Sequence, residues 1–130
     1  MTRRLARRRP WRDRRGERGA VTAELAMALP LLVAVTVGLV WLLAVGAAQV
    51  RVVDAARETA RAAARGDADG EAVARGREVA PAGASVTVVR GDGRVRAVAS
   101  GEVRGPGGLF GWLPGVTVRA EAVAADEAVP

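Results

Sequence analysis

The sequence predicts an α+β protein in which a long, kinked N-terminal transmembrane helix extends outside the membrane and precedes a small three-stranded antiparallel sheet. Three observations lead to this fold class. Residues 25–50 contain no charge. Small apolar side chains then recur at helical spacing, and three later segments alternate apolar and polar residues as strands do. We therefore divide the 130-residue chain into a leader (1–19), a transmembrane helix (20–50), a helical extension (51–65) and an outer α+β domain (66–130).

The uncharged run is long enough to cross a bilayer. At ~1.5 Å per residue it forms a helix of about 39 Å, against a hydrocarbon core of ~30 Å. Pro30 lies inside the run and cannot donate a hydrogen bond to the carbonyl of Ala26, so we expect a kink there. A candidate helix-packing face in lipid consists of Ala34, Gly38 and Gly46. The alternative is that an Ala- and Gly-rich composition scatters small residues along the helix.

The basic residues are all Arg and are concentrated in the leader. Residues 1–19 carry a net charge of +7, from nine Arg and two acids, whereas the rest of the chain carries −1. An Arg-rich tail can bind phosphate backbones, but beside an apolar segment it more often sets membrane orientation. We expect the leader in the cytoplasm, the C-terminal part outside, and no nucleic-acid partner. The nucleic-acid alternative requires salt-dependent DNA binding that is lost when the leader is deleted.

The composition argues against an enzyme. The chain has no Cys, His, Lys or Tyr, so the commonest general bases and amine or thiolate nucleophiles are missing. The two serines, Ser85 and Ser100, have no His partner. Four acids between 67 and 78 are spaced like part of a calcium loop, but Ala72 stands where that loop needs glycine. We expect no catalytic residues, no cofactor and no metal.

Turn and alternation signals organise the segment beyond the apolar run. The first helix is expected to continue from about Val21 to Arg65, because good helix formers run without a breaker until Gly66. A short second helix, weakened by Gly76, is expected within "EAVARGREV" (71–79). The three strands are expected at 85–90, 94–103 and 116–125, with a tight "GDG" turn between the first two.

A Gly/Pro-rich loop, "RGPGGLFGWLPG" (104–115), separates the second and third strands. Phe110 and Trp112 lie in this loop. They either cap the core or form a candidate partner-binding patch. The side chains of the outer domain are mostly Val and Ala, so we expect a thin core that relies on the long helix or on partner subunits.

Glu24 stands at the mouth of the apolar run, five residues after Gly19. One interpretation is an interfacial charge that marks where the membrane begins. The other starts from a cleavage junction between Gly19 and Ala20, which would make Glu24 the fifth residue of the mature chain. The new α-amine, with an unperturbed pKa of about 7.7–8.0, would be largely cationic. Glu24 could then pair with its own amine or with that of a neighbouring subunit, because an unpaired carboxylate in lipid is expensive.

Two further fates of the helix stay open. "GAA" (46–48) could be a signal-peptide cleavage site, which would release a secreted binding module beginning at Gln49. The apolar region of a signal peptide has about 7–15 residues, and this run is longer, which favours a retained helix. The second fate is an unprocessed single-pass membrane scaffold that keeps Met1.

The stretch Arg18–Arg61 resembles the TadE-like family of minor pilins or pseudopilins, which belongs to the tight-adherence (Tad/Flp) pilus systems and their actinobacterial relatives. The resemblance lies in "RGAVTAE", in the Leu-Pro inside the helix and in "DAARETAR" after it. It implies leader removal by a prepilin-type peptidase and a location in the cell membrane with the N-terminus inside. Its implied partners are other pilin-like subunits, Tad-type assembly membrane proteins and membrane lipid. In major Flp pilins the corresponding Glu is followed by Tyr, whereas here Leu25 follows Glu24. This difference favours a minor component over the major filament subunit.

Overall fold

The computed structural model of the chain describes residues 14–127, so residues 1–13 of the predicted leader and the last three residues lie outside the described part. The described chain is α+β, as predicted. Two helices precede a sheet of three strands, and a short 3-10 turn interrupts the loop before the last strand. The elements are α1 (Arg14–Ala64), α2 (Asp69–Val79), β1 (Ser85–Gly91), β2 (Arg94–Val103), the 3-10 turn Gly108–Phe110 and β3 (Val116–Ala125).

The chain divides into two compact units between Thr36 and Val37. In the first unit, α1 begins at Arg14, earlier than the predicted Val21. Glycine lowers helix propensity by only about 1 kcal/mol, and no proline occurs between Arg14 and Pro30 to stop the helix. Within the described residues, Gly19–Ala64 forms a helix that is long enough and apolar enough to cross a membrane.

Polar groups inside the apolar run are few. The hydroxyl of Thr36 donates to the carbonyl oxygen of Leu32 at 2.8 Å, so it is hydrogen-bonded within the helix and does not need water. Pro30 lies in the interior of α1, and the kink expected there stays a prediction.

The second unit contains an antiparallel sheet in the order β1-β2-β3. The strands lie within one residue of their predicted bounds. Asp92 and Gly93 connect β1 to β2 with φ angles of 54° and 66°. Positive φ at both central residues is typical of the type I′ hairpin turn, whose twist matches that of the strands.

One face of the sheet packs on the second half of α1. Val52, Ala55 and Ala56 form a core cluster with side chains from all three strands. A second cluster joins the end of α1 to α2 and β2. The buried apolar side chains of the described residues are all Ala or Val, and the buried polar one is Thr59. The core is therefore thin, as predicted, and the long helix supplies part of it.

Three hydrogen bonds fix the direction of the sheet along α1. Trp41 Nε1 donates to the carbonyl of Arg104 at 3.0 Å. Gln49 Nε2 donates to the carbonyl of Arg119 at 3.2 Å. The backbone N–H of Glu127 donates to the carbonyl of Ala64 at 3.0 Å. The domain therefore has a loop end, where Arg104, the first residue of the loop 104–115, is bound to Trp41, and a turn end, where the β1-β2 hairpin lies beside the last turn of α1.

Helix α2 approaches α1 closely through Gly76. A Cβ at this position would lie 2.0 Å from Thr59 Oγ1 and 3.0 Å from the carbonyl oxygen of Ala55. The glycine that weakens the helix in the sequence is thus the residue that lets the two helices touch. Helix α2 begins at Asp69 rather than at the predicted residue 71, and acids in its first turn favour that start.

Candidate subunit-packing and membrane site

The residues of the predicted cleavage junction and pairing site lie on the exposed surface of α1. Gly19, Ala20 and Glu24 are all exposed, and a Cβ on Gly19 would meet open space. Glu24 lies four residues, about one helical turn, after Ala20. Among the side chains that the structure describes, no ion pair includes Glu24. Within the described part of the chain, its carboxylate is thus exposed and without a salt bridge.

A continuous apolar surface follows Glu24 along the helix. Eleven large apolar side chains between Leu25 and Leu43 each expose more than half of their surface. A contiguous apolar surface of this kind marks a membrane or protein interaction site. Helix α1 is compatible with a single pass through a membrane. The exposed side chains are those of Leu25, Met27, Leu29, Leu31, Leu32, Val33, Val35, Leu39, Val40, Leu42 and Leu43.

The predicted small-residue face is not covered by the rest of the described chain. A Cβ at Gly38 or at Gly46 would find no atom within 4 Å, and Ala34 is half-buried. These positions leave room for another helix to approach, so the helix-packing face stays a prediction about a partner.

The predicted transmembrane segment also contributes side chains to the outer domain, which the sequence did not predict. Trp41 and Val45 are half-buried and Ala48 is 8% exposed, and Val45 and Ala48 pack in the same cluster as Val52. The signal was present in the sequence, because residues spaced three or four apart share one face of a helix. An uninterrupted apolar run conceals this periodicity.

The two aromatic residues of the loop 104–115, Phe110 and Trp112, differ in how much of their surface is buried. Phe110 is half-buried at the end of the 3-10 turn, and its carbonyl accepts a hydrogen bond from the N–H of Leu113 at 2.9 Å. Trp112 is 76% exposed. Gly108 opens the turn with φ of 72°, a conformation that favours glycine. The turn therefore directs the two aromatic rings to different surroundings, and a partner-binding role for them stays a prediction.

Two of the four acids that are spaced like part of a calcium loop, Asp67 and Asp69, contact arginine side chains. Arg90 Nε donates to Asp69 Oδ1 at 2.8 Å, and its two terminal nitrogens donate to Asp126 Oδ2 at 3.2 Å and to the carbonyl of Asp67 at 2.8 Å. The hydrogen bond to Asp69 raises the pKa of Arg90 above its ordinary value. Arg75 Nε lies 3.3 Å from Asp67 Oδ2. The guanidinium of Arg90 thus links β1 to the first residue of α2 and to Asp126, which follows β3.

Comparison with known proteins identifies one family. The family model described as TadE-like protein matches residues 19–61, about a third of the chain. Neither the curated proteins nor the solved structures include a match. The matched segment begins at the predicted cleavage junction, contains Glu24 and the apolar run, and ends in the part of α1 that packs on the sheet. The resemblance to TadE-like proteins, a family associated with Tad/Flp pili, is therefore confirmed for this helix.

Proposed function

We propose that the chain is a minor pilin or pseudopilin, a structural component of a Tad-type pilus or secretion assembly. A prepilin-type peptidase cuts between Gly19 and Ala20, and the mature chain stays in the cell membrane with its N-terminus inside and its sheet domain outside. The observation that supports this proposal most is Glu24. It is an exposed carboxylate without an ion-pair partner among the described side chains, at the entrance of an apolar helix that matches the TadE-like family.

The pairing role follows from the energetics of a charge near lipid. A charged side chain costs about 2.5–3.5 kcal/mol at the centre of a transmembrane helix and less near the interface, where Glu24 lies, and a cationic partner reduces that cost. Cleavage after Gly19 would create an α-amine one helical turn from Glu24. The amine of a neighbouring subunit satisfies the same carboxylate and also sets the register between two packed helices. Cleavage and pairing are therefore parts of one assembly step.

The domain contacts suggest where the membrane ends. A span of about 20 residues that starts at Leu25 ends near Ala44. Tryptophan is enriched at membrane interfaces, and Trp41 lies in the last turn of such a span while it also binds the outer domain. Residues 45–50 then belong to the outer domain, although they continue the apolar run. The sheet domain rests directly above the outer leaflet.

The alternative functions differ in where the mature chain begins and in what its leader binds. Release of a secreted module at Gln49 would remove Ala48 from the core cluster and Trp41 from its hydrogen bond, so the packing favours a retained helix. An unprocessed scaffold would keep Met1 and have no α-amine at Ala20. A DNA-binding leader would lose its affinity as salt rises, and most of that leader lies outside the described residues.

The test replaces Glu24 with its uncharged isostere in cells that carry a Tad-type assembly system and a prepilin-type peptidase. Glu24→Gln should insert and be processed normally, but its crosslinking to pilin-like subunits should fall well below that of the unmodified chain. Glu71→Gln is the matched control, because Glu71 is an exposed acid on α2. Crosslinking of Glu24→Gln at the level of Glu71→Gln would eliminate the pairing role.

A further inference from the structure

We propose that the loop 104–115 is a second membrane-contact site, in which Trp112 and Arg104 bind the headgroup region of the outer leaflet. The proposal rests on the membrane insertion of α1 given above. It adds a lipid-binding role for a loop outside the segment that matches the family model. The occupant is the surface of the bilayer that the same chain crosses.

The position of the loop supports this assignment. The indole of Trp41 donates to the carbonyl of Arg104 at 3.0 Å, so the first residue of the loop is fixed to α1 at the level where a 20-residue span from Leu25 ends. The next contact of the sheet with α1, between Gln49 and Arg119, lies further from the membrane along the helix. The loop is therefore the part of the outer domain nearest to the lipid.

The side chains of the loop suit a lipid interface. Trp112 is 76% exposed, and an amphipathic indole is more stable at the headgroup level than in bulk water. Arg104 is exposed and is the only charged residue between 104 and 115, so a lipid phosphate would meet a cation and no acid within the loop. The acid that precedes the loop, Glu102, lies against Gly115 at its base.

The experiment measures the depth of three nitroxide labels on the full-length chain in nanodiscs that contain one copy each. The chain has no cysteine, so single cysteines can be labelled selectively. Gly107→Cys places a label in the loop, where a Cβ meets open space and Trp112 is retained. Leu32→Cys reports on the span, and Val89→Cys, at an exposed position of β1 towards the turn end, reports on a water-facing surface.

The expected result is that the ratio of oxygen collisions to collisions with a water-soluble nickel complex is high for the label at 32, low for the label at 89 and intermediate for the label at 107. A label at 107 that behaves like the label at 89, with the label at 32 in lipid, overturns the loop proposal alone. A label at 32 that is open to water overturns membrane insertion itself. Protection at 107 that requires two copies per disc identifies a second chain rather than lipid and also overturns the proposal.

A variant without the indole of Trp112 shows whether this side chain binds the membrane or whether the loop is only close to it. Trp112→Ser in the Gly107→Cys background should raise the collision rate of the loop label with the nickel complex at least severalfold. Val89→Ser, which also removes an exposed apolar side chain, is the matched control and should leave that rate unchanged. Equal collision rates for Trp112→Ser and the parent would show that Trp112 does not hold the loop in lipid.

Discussion

Replacement of Gly76 by alanine should destabilise the outer domain, although alanine is the better helix former. The new Cβ would lie 2.0 Å from Thr59 Oγ1, 3.0 Å from the carbonyl oxygen of Ala55 and 3.2 Å from Val86 Cγ1. Real Cβ atoms do not approach other atoms to 2.0 Å, so Thr59 must turn away or the two helices must separate. Either response disturbs the contact that holds α2 on α1.

The magnitude follows from three terms. Alanine gains about 1 kcal/mol over glycine in a helix interior. Overpacking of a tight contact costs about 1–3 kcal/mol. Thr59 is fully buried and donates to the carbonyl of Ala55 at 2.8 Å, and rotation of its hydroxyl away from that acceptor costs about 1–3 kcal/mol. The net expectation for Gly76→Ala is a loss of about 1–5 kcal/mol.

The assay is amide hydrogen exchange of β2 in the full-length chain in nanodiscs, because the slowest amides report the opening free energy of the domain. Gly70→Ala is the matched control, since Gly70 lies in the same helix and its Cβ would meet nothing within 4 Å. A cost of Gly76→Ala that falls by about 1 kcal/mol in a Thr59→Ala background would identify the hydroxyl as the obstacle. Equal protection in Gly76→Ala and Gly70→Ala would refute the close-contact reasoning.

Three further substitutions address other contacts. Trp41→Phe removes one hydrogen bond worth about 1 kcal/mol and should speed hydrogen exchange in the loop 104–115; unchanged exchange would contradict the fixation of the loop on α1. Gly93→Ala places a side chain at φ of 66° and should cost about 1–2 kcal/mol in thermal unfolding, whereas Gly91→Ala in the adjacent strand should not. Arg90→Gln should destabilise the domain more than Arg96→Gln, because Arg90 binds three groups and the exposed Arg96 binds one carboxylate; equal unfolding temperatures would contradict the role of the Arg90 cluster.

The strands could be predicted from the sequence because their signal is local. Alternation with period two and the Asp92-Gly93 turn place β1 and β2 without reference to distant residues. The start of α1 was predicted too late, at Val21 instead of Arg14. Glycine weakens a helix by an amount that neighbouring helix formers offset.

The contacts between elements could not be predicted in the same way. The approach of Gly76 to Thr59, the three bonds of Arg90 and the bond from Trp41 to the loop join residues that lie between 17 and 63 positions apart. Periodicity identifies the apolar side of an element but not the residue that it meets. The candidate site shows the same limit, because the position of Glu24 could be read from spacing whereas its partner belongs to another molecule.

The N-terminus of the membrane-bound chain tests the proposed function most directly. Intact-mass measurement of the full-length protein, produced with a prepilin-type peptidase and extracted from membranes, should give a chain that begins at Ala20 and retains Glu24 as its fifth residue. A chain that begins at Met1 would contradict the processing on which the pairing of Glu24 depends. A chain that begins at Gln49 would contradict both the pairing and the retained helix.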